Sequence, residues 1–213
     1  NILAKQNNFN HKEVVITPES FIDKWDDSIY FMEQPVYNPS MSMYCYTNKF
    51  LADNDIVVTL AGDMGDEILA GHPKYWKMKN PDDVLKLWLH RIKRPLKLTD
   101  NPVSDDILLE EFKKCYEGEL WNPNDPIGSH MALDCVAQVP EEMFSRNDKY
   151  GMAYGMEGRF PLATKTFMRY CMSMHTDKKL GPDKSDTKIF IKKAYERRLP
   201  SKIINKQKWC IRF

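Results

Sequence analysis

Long apolar runs are missing from this 213-residue sequence. Its most apolar stretches, such as 56–62, fall far short of the roughly 20 residues that span a bilayer, and the Asn1 end has no signal-peptide pattern. No membrane partner is expected, and the chain is expected in the cytoplasm. An excess of one charge is missing too. Thirty-one Lys and Arg against 30 Asp and Glu leave a net charge of +1, which provides no global field to draw in nucleic acid. Any charged site must therefore be local. CxxC pairs are absent, and the five cysteines (Cys45, Cys115, Cys135, Cys171 and Cys210) are scattered, with no histidine at ligand spacing. They are expected to be reduced thiols. The lack of internal repeats and low-complexity tracts excludes a solenoid and a disordered linker.

What is present suits one ordinary domain, taken as 1–213. Residues 14–17, Val-Val-Ile-Thr before Pro18, suggest a short buried strand that leads into a helix carrying Phe21, Ile22, Trp25 and Ile29. Residues 56–60 form a continuous β-branched run of the kind seen in a parallel strand covered on both faces. Beyond Pro81 the apolar spacing predicts helices over 82–92, 105–116, 141–154, 165–174 and 187–198, with a loop at 122–126.

The chemistry concentrates at Ala61-Gly62-Asp63-Met64-Gly65-Asp66-Glu67-Ile68-Leu69-Ala70-Gly71, where the second strand ends in a glycine-bearing turn with three carboxylates. In open α/β sheets ligands bind beyond the carboxyl ends of the strands, so these acids are placed to hold Mg²⁺ or a substrate ammonium. Acidic residues also favour any helix N-terminus, by about 0.3 to 1 kcal/mol, and alone they do not separate the two roles.

A second stretch separates them. Arg146, Asp148, Met152, Ala153, Glu157, Arg159 and Pro161 follow the spacing R-x-D-x-x-x-M-A-x-x-x-E-x-R-x-P. With the acid turn, this pattern resembles the asparagine synthetase family. The resemblance continues through Lys188 and the ending from Leu199-Pro200 to Lys208, similar to L-P-x-x-[IV]-x-x-R-x-K. It starts at His11-Lys12-Glu13 and Glu33-Gln34-Pro35, similar to H-x-E and D-x-P.

The resemblance implies an α/β fold: part of an adenine-nucleotide-hydrolase-like parallel sheet domain followed by a mostly helical layer. It implies an ATP-dependent ligase using Mg²⁺ that activates the aspartate side-chain carboxylate for attack by ammonia. Asp63 and Lys208 match its catalytic positions. Ala61 and Gly62 would lie beneath the ribose, and Asp66 would meet magnesium-bound pyrophosphate. Glu67, Glu157 and Arg159 would shape the substrate pocket, the last two as an ion pair fixing a helix end.

The sequence also departs from the pattern. Ala61 stands where serine is usual, Asp63 where glutamate is usual, and His72 where tyrosine is common. His72 is read as a loop residue without a catalytic role. Pro161-Leu162-Ala163-Thr164 replaces P-F-L-D, and no S-G-G-x-D-S phosphate loop occurs. The backbone N–H groups of such a loop cradle pyrophosphate, so a second polypeptide or upstream segment is expected to carry it. A different acceptor carboxylate, or a scaffold without catalysis, are the competing readings.

Overall fold

The computed structural model describes residues 2–34, 38, 40–78, 80–96, 103–182 and 186–206. In chain order the regular elements are α1 Ile2–Asn7, α2 Pro18–Asp23, α3 Trp25–Met32, α4 Ser40–Ala52, β1 Val58–Leu60, α5 Gly65–Ile68, α6 Pro81–Leu96, α7 Asp105–Glu119, α8 Pro126–Val136, α9 Ser145–Ala153, β2 Glu157–Arg159, α10 Lys165–Met172, α11 Ile189–Tyr195 and α12 Ser201–Ile204. The chain is mostly helical with one small parallel sheet. It divides into two compact units, one built from residues up to Ala61 with Phe144–Arg159, the other from Gly62–Met143 with residues from Phe160 onward.

In the first unit, α3, α4 and α9 pack around Met32, Met41, Cys45 and Tyr150, and the Tyr150 hydroxyl donates to the Ser28 carbonyl at 3.0 Å. The buried Arg146 guanidinium lies 4.0 Å from the Tyr44 ring centroid, where a weakly hydrated planar cation suits an aromatic face. β1 pairs in parallel with β2 in the register Val58 with Glu157 and Leu60 with Arg159. Among the described residues β1 has a strand neighbour on one edge only. Apolar side chains in and just before it are exposed, Val57 at 66%, Val58 at 38% and Leu60 at 74%.

Two expectations are corrected here, and the helix over 141–154 is present but refined at its start. Residues 14–17 form no strand. They are extended chain ending at Thr17, which caps α2 in a reciprocal capping box with Ser20, and Val15 is exposed. The helix expected over 141–154 starts as a wide π turn, Val139–Phe144, containing Pro140, which has no N–H to donate to a regular helix. Glu157 and Arg159 lie on a strand, not at a helix end. The chain reaches that strand from α9 through Gly155, whose φ of 70° is left-handed and suits a residue without a Cβ.

The second unit has the larger core. Ala70, Tyr75, Met78, Val84, Leu85, Tyr116, Ile127, Met131, Leu133 and Leu180 are buried together, with Trp88, Phe112 and Tyr116 stacked in series at 5.6 Å spacings. The expected loop at 122–126 is present and ends in a cap. Asp125 accepts from the Gly128 N–H to start α8 and from the Thr176 N–H, both at 3.0 Å, tying two distant segments together. Cys45, Cys135 and Cys171 are free thiols. No helix among the described residues is long and apolar enough to cross a membrane.

Candidate functional site

The acid turn is a tight piece of backbone at the start of the second unit. The Gly65 N–H closes the turn onto the Gly62 carbonyl at 3.3 Å, and the Gly71 N–H returns to the Asp66 carbonyl at 2.7 Å. Between these closures lies α5, a single helical turn. Met64 before it and Ala70 after it have φ of 71° and 55°. Left-handed backbone at a residue with a Cβ is unfavourable, so the surrounding contacts must hold it there, and such strain concentrates at functional sites.

Successive acids on this short helix point to different environments. The Asp66 carboxylate is partly exposed and meets the Lys188 ammonium at 2.6 Å. Lys188 itself has φ 57° as the residue that opens α11. Gly71 makes this meeting possible, because a Cβ there would collide with both the Asp66 carboxylate and the Lys188 side chain. Glu67 turns inward, 1% exposed, and its Oε1 lies 2.6 Å from His72 Nε2. Asp63 is half-buried at the mouth of the turn.

Beneath the turn, Tyr75 donates to the fully buried Asp134, which is also paired with Lys74 and lies 3.6 Å from His130 Nε2. Burial alone would raise the Asp134 carboxyl. The neighbouring His130 and the Lys74 ammonium outweigh it and hold that carboxyl well below its usual range. Burial pushes the neighbouring Cys135 thiol up to about 12, with the charges of Glu67 and Asp134 acting in the same direction.

The other expected residues belong to the first unit or lie outside the described chain. Glu157 and Arg159 form an exposed ion pair at 3.0 Å across one face of β2. The Ala61 N–H donates to the Arg159 carbonyl at 2.9 Å, extending the β1–β2 ladder by one rung. Lys208 lies outside the described residues, as do Pro35 and Cys210. Among the described residues no group of three or more His, Cys, Asp or Glu side chains is arranged to hold a metal ion.

Comparison with known proteins gives this geometry a family. The sequence profile of the family described as Asparagine synthase matches residues 1–211. The chain belongs to the asparagine synthase family. It is 20% identical over 210 residues to "Asparagine synthetase [glutamine-hydrolyzing] 3" of Bacillus subtilis (strain 168), an alignment covering 93% of this chain and 33% of that protein. The chain thus spans about a third of the length of this curated relative.

Two residues of the acid turn gain partners that the sequence did not assign. Lys188 follows the second signature at a distance that only folding closes, and a lysine at the start of a helix carries no local mark of its partner. His72 had a faint signal, standing five residues after Glu67, a spacing that a helical turn and a reversal can bring together.

Proposed function

We propose that this chain supplies part of an ATP-dependent amide ligase that converts aspartate to asparagine. The observation that carries the reading is the Asp66–Lys188 pair, a carboxylate and an ammonium 2.6 Å apart on a strained turn. Bare carboxylates would repel a polyphosphate, whereas a lysine beside a carboxylate offers the alternating charges that a magnesium-bound pyrophosphate needs. The donor set fits Mg²⁺ held jointly with phosphate, since that ion keeps several waters and takes only one or two protein carboxylates. Asp66 would hold the ion, which neutralises charge on the departing pyrophosphate.

Family membership supports the remaining roles. Lys188 would contact phosphate oxygens directly, and Lys208 would reach the α-phosphate. Ala61 and Gly62 would lie under the ribose. Glu67, Glu157 and Arg159 would shape the aspartate pocket, and Asp63 would assist formation and use of the adenylate. An aspartate side-chain oxygen attacks the α-phosphorus as pyrophosphate leaves. Ammonia then attacks the activated carbonyl, AMP departs, and the nitrogen loses a proton to give the amide.

The reading includes a larger parallel sheet, of the adenine-nucleotide-hydrolase type, completed by a segment with an S-G-G-x-D-S loop on the same or another polypeptide. The exposed apolar residues of β1 support that requirement. The test is aspartate-dependent exchange between ATP and labelled pyrophosphate, with and without an added segment that carries an S-G-G-x-D-S loop. Exchange is expected only with both parts and with aspartate, at least tenfold above the same mixture carrying Lys188→Ala. Exchange driven instead by another carboxylate would move the substrate. No exchange with any segment and any carboxylate would sink the ligase reading.

A further inference from the structure

Glu67 is a carboxylate buried to 1% exposure, and among the described residues His72 is the one side chain hydrogen-bonded to it. A buried carboxylate without a donor is strongly unfavourable, so this bond decides whether Glu67 stays inside. The two residues directly follow Asp66 and Gly71, themselves joined by the 2.7 Å backbone bond. The loop 66–72 is thus closed twice, once through backbone and once through side chains. Its outward product is the Asp66 carboxylate aimed at Lys188. His72 is held in turn by Tyr75, edge-on at 5.6 Å, which is anchored to Asp134 together with Lys74 and His130.

We infer that His72 is a positioning residue: by donating from Nε2 to the buried Glu67, it orients the acid turn so that Asp66 meets Lys188. The idea rests on the ligase reading for its purpose, but its geometry is testable without any ligand. Two substitutions separate the hydrogen bond from the packing. His72→Gln keeps a nitrogen donor near the Nε2 position and loses the ring. His72→Phe keeps a ring against Tyr75 and loses the donor.

The readout is trace acetylation with acetic anhydride, followed by mass spectrometry of Lys188 relative to the exposed Lys178 in the same molecule. Losing its carboxylate partner frees Lys188, so His72→Phe is expected to raise the ratio roughly two- to fivefold, the range for a partly exposed ion pair. His72→Gln is expected to stay near the wild-type ratio. A wild-type ratio in His72→Phe, or an equal rise in both variants, overturns the inference. Nitrogen-15 NMR of the wild-type imidazole keeps the question open to refutation even if a variant fails to fold. Nε2 is expected to carry the proton shared with Glu67, and an unprotonated Nε2 overturns the inference. The exchange assay decides the ligase reading, and the labelling ratio and imidazole spectrum decide His72, so the two fail separately.

Discussion

The two units differ in what they hide. The second buries a broad aromatic and aliphatic core and, inside it, the charged cluster of Asp134, Lys74, Tyr75 and His130. The first packs a small core around Met32, Met41, Cys45 and Tyr150 and leaves Val15, Val57 and Leu60 in water. Exposure of scattered apolar residues is ordinary, but β1 belongs to a β-branched run whose composition suits burial on both faces. The comparison teaches that an apolar pattern states a requirement for cover without stating where the cover comes from. One unit satisfies its pattern internally, and the other satisfies it only in part.

The sharpest test of that difference is Asp134→Asn. Removing one partner of a buried ion pair leaves Lys74 without its counter-charge, so a loss of about 3 to 5 kcal/mol is expected, read as a lower denaturant midpoint. The sign with pH follows from the depressed carboxyl. Asp134 contributes its stability above the usual carboxylate pKa, and that contribution is lost as pH falls below it toward the depressed folded value. The wild type should therefore lose stability with acid more steeply than the variant. A variant that melts like the wild type would mean that the cluster is no more essential to the second unit than the exposed residues are to the first.

A smaller effect on folding, with a larger one on function, is expected from Val57→Lys. Val57 is 66% exposed, so the change should alter the stability of the chain alone by no more than about 0.5 kcal/mol. In the proposed assembly the same position is covered, and a lysine there should abolish complemented pyrophosphate exchange. A chain destabilised as strongly as by Asp134→Asn would show that β1 is already covered, and the contrast between the units would collapse.

Legibility in the sequence followed the range of the interactions involved. The helices of the second unit were readable because their apolar spacing and caps are local, as at Asp125 before Pro126 and at Ser104, which accepts from the Ile107 N–H. The acid turn was readable from the glycines and carboxylates clustered after a strand-like run. β2 was not. Glu157-Gly158-Arg159 has no strand propensity, and pairing with β1, a partner about a hundred positions away, makes it a strand. Residues 14–17 are the converse case, having the propensity while the described chain offers them no partner strand. The partners of Asp66 and Glu67 were likewise invisible, because Lys188 and His72 meet them through folding and not through a motif.

Glu157→Gln should have the smallest effect on stability, and it tests the comparison from the other side. Family resemblance implies that Glu157 and Arg159 orient a pocket, whereas the fold sets them as an exposed pair on β2, with side chains 60% and 59% in solvent. The Arg159 hydrogen bond and charge lower the Glu157 carboxyl, a direction that would normally add stability above the usual carboxylate range and lose it in acid. Solvent and salt screen such a pair, so melting curves of Glu157→Gln should overlay those of the wild type at low and high ionic strength and at neutral and acid pH. Substrate binding in the complemented assembly is the property it should change. A drop in melting temperature that salt does not erase would place the pair in a buried environment, and the first unit would then share the internal ionic anchoring assigned here to the second.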